Sequence, residues 1–329
     1  LFSKKSRIES RRFLDRLTAF RRHAGIAGAA GGGGEKKLST LGHITAFALA
    51  VVEKVQAWRG VIPFKRIRFQ DDDIGSLIEG LERGRGAVLL CSHLGNTELL
   101  RALADYHRTG VSRDIPVTSI VDFEVTPFFN RMMAKLNRRA VLKIISANSI
   151  GPDSVAALQE ETDRGGLAVI AGDRTPAHTR GRVFSVPFLG TEASFPQGPW
   201  ILGALLEAPV YAVFALRRKD LSPAPDYDMH VHRLDDFIPR APPRDGDGPR
   251  RQGTSAESGT SAGGKAPGGS GVEYSGSRRK ERNRVMESRA RQFAALLEGY
   301  CLQHPYQWYN FYDFWAPGGP RNGDADEQH

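Results

Sequence analysis

The stretch GRGAVLLCSHLGNTELLRAL (84–103) carries a histidine and a carboxylate at a spacing suited to proton transfer. A buried strand is predicted to end at Ser92, and His93 follows it. Gly95 permits a sharp turn, and Asn96 is a good N-cap for the next helix. Glu98 then falls in that helix's first turn, where the helix dipole favours its charge. His93 is thereby placed at the carboxyl end of a strand, where open α/β sheets hold their ligands. Glu98 can reach back to the imidazole. A histidine held in this way removes a proton from a hydroxyl while the carboxylate stabilises the imidazolium.

Spacing alone selects weakly. With nine His and 37 Asp+Glu among 329 residues, chance supplies about one His-x4-Asp/Glu match. The chain holds two, His93…Glu98 and His230…Asp235. The second lies in MHVHRLDD, without a Gly-Asn turn or a following apolar helix, so His230 and His232 read as ordinary strand residues. GTSAG (259–263) matches a nucleophile elbow, which requires a strand before it and a helix after it; this one sits in a Gly-rich tract. There is no Cys-x2-Cys pair, and Cys91 with His93 offers only two close metal ligands. Neither a Walker A sequence nor a dinucleotide fingerprint is present, so no metal or cofactor is expected.

Short apolar runs from about residue 85 onward must position His93. They are AVLLCS (87–92), VTSIVDF (117–123), VLKIISA (141–147), LAVIAG (167–172), PVYAVFAL (209–216) and MHVHRL (229–234). Between them lie TELLRALADYH, VTPFFNRMMAKL, PDSVAALQEETDRG and FPQGPWILGALLEA, each long enough for a helical crossover. Almost continuously apolar strands alternating with helices predict an α/β fold with a mostly parallel central sheet flanked by helices. Ahead of it, SRRFLDRLTAFRRHAG and LGHITAFALAVVEKVQAW (41–58) read as helices, separated by the Gly/Ala stretch 24–34. Either a membrane surface or the core suits their apolar faces equally well.

The net charge is +9, and its distribution matters more than its total. Residues 1–40 carry a balance of +7 and residues 240–284 a balance of +5, so the remainder is slightly acidic. Basic flanks attract lipid headgroups or nucleic acid, or stay solvated. The longest apolar run, Ile44–Val52, has nine residues, against the ~20 needed to cross a bilayer. The chain opens on Leu1, which leaves room for an anchor upstream. Two cysteines suit a reducing compartment. Ten of the 37 residues at 241–277 are Gly, too polar a composition to offset chain entropy. After it Phe293, Leu296, Leu297, Tyr300 and Cys301 recur at helical spacing. YQWYNFYDFW (306–315) follows, with seven aromatics in ten residues, fit for core packing or for an acyl-chain-contacting edge. The expected organisation is basic N-terminal helices at 1–60, an α/β core at 61–240 and a disordered insertion at 241–284. A helix and aromatic segment at 285–316 complete the core, and 317–329 is a tail.

SHLGNTELL resembles the His-x-Gly-Asn-x-Glu form of the His-x4-Asp/Glu motif of glycerolipid-type acyltransferases, and within them the bacterial lipid A biosynthesis (lauroyl/myristoyl transferase-like) branch. LAVIAGDRTPAHTRGRVFSVPFLG (167–190) is similar to that family's Asp-Arg segment followed by Pro-Phe-x-Gly. TEASFPQGPWILGALLEAPVYAVFAL (191–216) resembles its Pro-x-Gly helix and following strand. PYQWYNFYDFW is similar to the C-terminal signature of one subgroup of predicted acyltransferases. The likeness covers roughly 40–240 and 285–316; the 24–34 tract and the 241–284 insertion have no counterpart, and the usual N-terminal anchor is missing from this chain.

The resemblance implies His93 as general base on an acceptor hydroxyl, with Glu98 as its orienting partner. The hydroxyl attacks an acyl thioester of acyl carrier protein or CoA, without a covalent enzyme intermediate. Gly95, Asn96, Arg131, Asp173, Arg174 and Arg182 are implied at the substrate, with Arg180 in the same block; guanidinium groups suit phosphate by bidentate hydrogen bonding. The implied acceptor is a lipid or glycolipid, and the implied location is the cytoplasmic face of a bacterial inner membrane. Two rivals stand beside this reading. A non-catalytic protein binding anionic membrane or nucleic acid through its basic flanks predicts strong salt dependence, although no nucleic-acid-binding motif is present. A hydrolase on the same scaffold predicts free fatty acid as product.

Overall fold

The computed structural model describes residues 3–26, 37–70, 73–100, 111–121, 142–174, 182–223, 225–234 and 270–315. Helices α1 (Lys4–His23) and α2 (Thr40–Trp58) come first. Each starts on a serine whose hydroxyl accepts a main-chain N–H of the first turn, Ser3 from Ser6 and Ser39 from Gly42. A short β1 (Ile67–Phe69), α3 (Asp73–Glu82) and β2 (Ala87–Cys91) follow. Next come β3 (Val117–Val121), β4 (Leu142–Ser146), α4 (Pro152–Asp163) and β5 (Leu167–Ala171). A hairpin of β6 (Val183–Phe188) and β7 (Thr191–Pro196) precedes α5 (Gly198–Leu205), β8 (Val210–Arg217) and β9 (Tyr227–Arg233). Helix α6 (Ser270–Gln303) closes the regular structure.

Seven strands form one sheet in the order β1-β9-β8-β2-β5-β3-β4. The five from β8 to β4 run parallel; β9 is antiparallel to β8, and β1 is parallel to β9. The six sequence-predicted strands are all present, so the α/β class with a mostly parallel sheet holds. The apolar runs of the central strands β2 and β8 are continuous because both faces are covered. In β2, Val88 and Leu90 join a core with α1, α4, α5 and α6, while Ala87, Leu89 and Cys91 face a second core containing Leu77 and Leu81 of α3. β8 alternates likewise, with Ala212 and Phe214 on one side and Val213 and Ala215 on the other.

Three features depart from expectation. β1, only three residues long, and the β6–β7 hairpin, whose first strand VFSVPF is interrupted by Ser185 and Pro187, lie outside the six expected runs. Helix α6 begins at Ser270, inside the stretch assigned to the insertion; the Lys/Arg/Glu-rich run at 278–284 is polar yet composed of good helix formers. GTSAG and the rest of 235–269 lie outside the described residues. Among those described, no helix is long and apolar enough to cross a membrane.

Candidate active site

Strands β2 and β5 are parallel neighbours in a register that pairs Cys91 with Ala171. The main-chain N–H of Gly172 donates to the carbonyl of Cys91 (2.8 Å), carrying that alignment one step past the strands. His93 and Asp173, each two residues beyond its strand, therefore arrive side by side at the carboxyl edge of the sheet. The Oδ1 atom of Asp173 lies 2.8 Å from Nδ1 of His93, and Oδ2 accepts the main-chain N–H of His93 at 2.7 Å. The imidazole is 29% exposed and the carboxylate 0%.

Asp173 is held below the usual carboxylate range. Burial pushes it up, but the imidazole's charge and hydrogen bonds from His93 and Trp308 outweigh that. An ionised carboxylate only accepts, so the proton sits on Nδ1 and the lone pair on Nε2. In this arrangement Nε2 can accept a proton, and the Asp173 carboxylate would stabilise the resulting imidazolium.

Two further segments brace the pair. Gly95 has a φ of +76°, and a Cβ there would stand 2.1 Å from the Ala215 carbonyl oxygen of β8. Only glycine turns the chain so tightly against β8, where Asn96 N–H donates to that same oxygen at 2.8 Å. The second brace is the C-terminal aromatic segment. Tyr309 N–H donates to His93 O (2.9 Å) and Gly95 N–H to Gln307 O (2.9 Å). The Trp308 indole donates to Asp173 Oδ2 (2.9 Å), and Asn310 and Tyr312 side chains donate to the Asp173 carbonyl, both at 3.1 Å. One strand-like stretch thus ties the His93 turn to the Asp173 turn.

Glu98 does lie buried in the first turn of the helix that follows Asn96, but the partner of Nδ1 is Asp173. The pairing of β2 with β5 spans 80 residues, and local spacing carries no trace of it. Asp173, expected at the acceptor, is fully enclosed behind the imidazole. Asn96 is also fully buried, beside the Tyr227 hydroxyl, and Gly95 and Asn96 build the turn that carries His93. Arg174 is half-buried with its guanidinium 5.5 Å from the Tyr312 ring centroid, and Arg182 is exposed. Arg131 and Arg180 lie outside the described residues. His230 packs its ring 4.6 Å from that of Tyr300, while Asp235 lies outside the described residues. Trp308, Asn310 and Tyr312 belong to the aromatic-dense run 306–315, whose composition marks the segment without distinguishing its members; Trp308, Tyr309 and Phe314 are buried.

Beneath the site, Arg217 at the end of β8 pairs with Glu53 of α2 at 3.0 Å, both nearly inaccessible. The Tyr227 hydroxyl also donates to Glu53. Burial pushes the Glu53 carboxyl up, against the pull of Tyr227 and Arg217. Gln307 donates to and accepts from the main chain of Arg217, which anchors the aromatic segment to the same strand.

Residues 45–239 match the family model described as bacterial lipid A biosynthesis acyltransferase. That span includes His93, Glu98 and Asp173 but not α1, His43 or Trp308. A search of curated proteins found no match to the chain.

Proposed function

The chain belongs to the bacterial lipid A biosynthesis acyltransferase family, and on that premise we propose that it is an O-acyltransferase whose general base is His93, held by Asp173. The observation that carries this reading is the hydrogen bond between Nδ1 and the buried Asp173 carboxylate at the carboxyl edge of the sheet. The Nε2 atom of His93 takes the proton of an acceptor hydroxyl as its oxygen attacks the carbonyl carbon of an acyl thioester. The tetrahedral adduct collapses with loss of the thiolate, which receives the proton back from the imidazolium. Oxygen gains the acyl group, sulfur the proton, and His93 returns to its starting state. Glu98 contributes a second carboxylate next to the His93 turn.

The donor is acyl carrier protein or CoA, and the acceptor a lipid or glycolipid hydroxyl. Docking to an anionic membrane surface is supported by α1, whose exposed side carries Lys4, Arg7, Arg11 and Arg22, and by α2, which exposes Leu41 and Val52. The cytoplasmic face of the inner membrane supplies such a surface beside both substrates.

The test is mass spectrometry of lipids after mixing the protein with acyl-acyl carrier protein or acyl-CoA and a bacterial lipid extract, with His93→Ala in parallel. A species heavier by one acyl group, absent with His93→Ala, is the expected result. Free fatty acid alone would make the protein a hydrolase. Full transfer by His93→Ala would remove the general-base assignment.

A further inference from the structure

Beyond the family's matched stretch, a line of hydrogen bonds runs from the N-terminal helices to the base. Ser10 of α1 and His43 of α2 are both fully buried, and the Ser10 hydroxyl lies 2.9 Å from Nδ1 of His43. The opposite ring nitrogen, Nε2, lies 2.8 Å from the carbonyl oxygen of Trp308. A carbonyl only accepts, so Nε2 carries the proton, and bare Nδ1 accepts from Ser10. Every polar atom of the imidazole is thereby used while the ring stays neutral. The Trp308 main chain is pinned from one side by His43, and its indole N–H reaches Asp173 on the other. The indole has no freedom to turn away: Phe13, Phe188, Phe314 and Trp315 surround it with centroids 4.9, 5.3, 5.0 and 6.1 Å distant.

We propose that Trp308 and His43 are positioning residues for the reaction: His43 fixes the Trp308 main chain, and the Trp308 indole holds the Asp173 carboxylate so that its other oxygen faces His93. This rests on His93 and Asp173 acting as proposed above. It goes beyond that reading because Ser10, His43 and Trp308 all lie outside residues 45–239. The first two helices and the C-terminal segment are then parts of the catalytic apparatus as well as of the core. Without the indole N–H, the Asp173 carboxylate keeps only its two bonds to His93, Oδ1 to the ring and Oδ2 to the main chain, and loses the bond that ties it to the aromatic segment and so sets where the pair stands.

Steady-state kinetics of the full chain, with acyl-acyl carrier protein and lipid extract, tests the assignment. Trp308→Phe keeps a ring and removes the donor. Loss of one charge-assisted hydrogen bond predicts a fall in kcat of about tenfold or more, with both KM values within about twofold. In an Asp173→Asn background, Trp308→Phe should add less than about a twofold loss, because the two act through one atom. The His43 pair gives an independent measurement. Glutamine places an amide N–H near the position of Nε2 and should restore most of the kcat that His43→Asn loses, at matched melting temperatures. Wild-type kcat in Trp308→Phe, an equal loss in the Asp173→Asn background, or glutamine no better than asparagine would overturn the proposal. His93→Ala assayed alongside separates the two ideas. If it is inactive while Trp308→Phe is normal, only the positioning role falls; if it is active, the base assignment falls first.

Discussion

Both carboxylate oxygens of Asp173 are bound to His93, Oδ1 to the ring and Oδ2 to the main chain. The ring therefore cannot rotate about χ1 without breaking a contact to a carboxylate that is itself held by Trp308. This double attachment fixes which nitrogen bears the proton and leaves Nε2 as the basic atom. Asp173→Asn is expected to lower kcat by on the order of 10²–10⁴, the range over which a positioned general base acts. Nitrogen NMR of the imidazole should show the Nδ1–H tautomer in the wild type and a changed tautomer in Asp173→Asn. Glu98→Gln should leave the tautomer as it is; a tautomer change there, with none in Asp173→Asn, would transfer the partner role to Glu98.

The buried His43 makes stability depend on acidity. Burial lowers it from 6.5 to about 4, against the opposing pull of the Trp308 carbonyl and the Asp220 charge. As pH falls below 6.5 the unfolded chain takes up a proton that the folded chain refuses until about 4, so stability drops across that window. The shift corresponds to roughly 3 kcal/mol. Urea denaturation at pH 7.5, 5.5 and 4.5 should show this loss in the wild type and a shallower one in His43→Gln. Parallel slopes would show that His43 is accessible to protons in the folded chain.

Gly95 is under two constraints at once, a positive φ and the approach of the Ala215 carbonyl. Gly95→Ala should cost roughly 2–4 kcal/mol, combining left-handed backbone strain with forced displacement of β8. Because the turn carries His93, activity and melting temperature should fall together. A variant with normal stability but a raised acceptor KM would instead return Gly95 to substrate contact.

The parallel sheet was legible because its central strands are buried on both faces and read as nearly continuous apolar runs; β2 and β8 are buried at every position. His93 was legible because the turn chemistry of Gly95 and Asn96 surrounds it. Its partner was not. A carboxylate five residues away is visible in a local pattern, whereas Asp173 reaches His93 only through the pairing of β2 with β5. Trp308 was hidden for a related reason: among seven aromatics in ten residues, nothing local distinguishes the one whose N–H is needed. The Asp-Arg resemblance drew attention to Asp173 as an acceptor contact, whereas its position behind the His93 imidazole, with no exposed surface, depends on strand pairing that local sequence does not carry.

The basic side of α1 supplies the last prediction. Deleting α1 would remove Phe13, Leu14 and Leu17 from the core and Ser10 from His43, so deletion cannot separate docking from folding. Charge reversal can. Arg12 and Arg16 are excluded because they pair with Asp313 and stack on Trp315. Lys4, Arg7, Arg11 and Arg22 are exposed, and Arg11 makes only a 3.8 Å pair with the exposed Asp15. A Lys4→Glu, Arg7→Glu, Arg22→Glu variant changes the charge by six. It should fold normally yet sediment far less with vesicles of anionic phospholipid at low salt, at about 1 kcal/mol per basic residue near the surface. Raising salt to several hundred millimolar should erase the difference from the wild type, because the Debye length then falls well below 10 Å. Transfer to a detergent-dispersed acceptor should be unchanged. Equal sedimentation of the two proteins at low salt would show that α1 does not face the membrane, and would leave the apolar Leu41 and Val52 of α2 as the remaining contact.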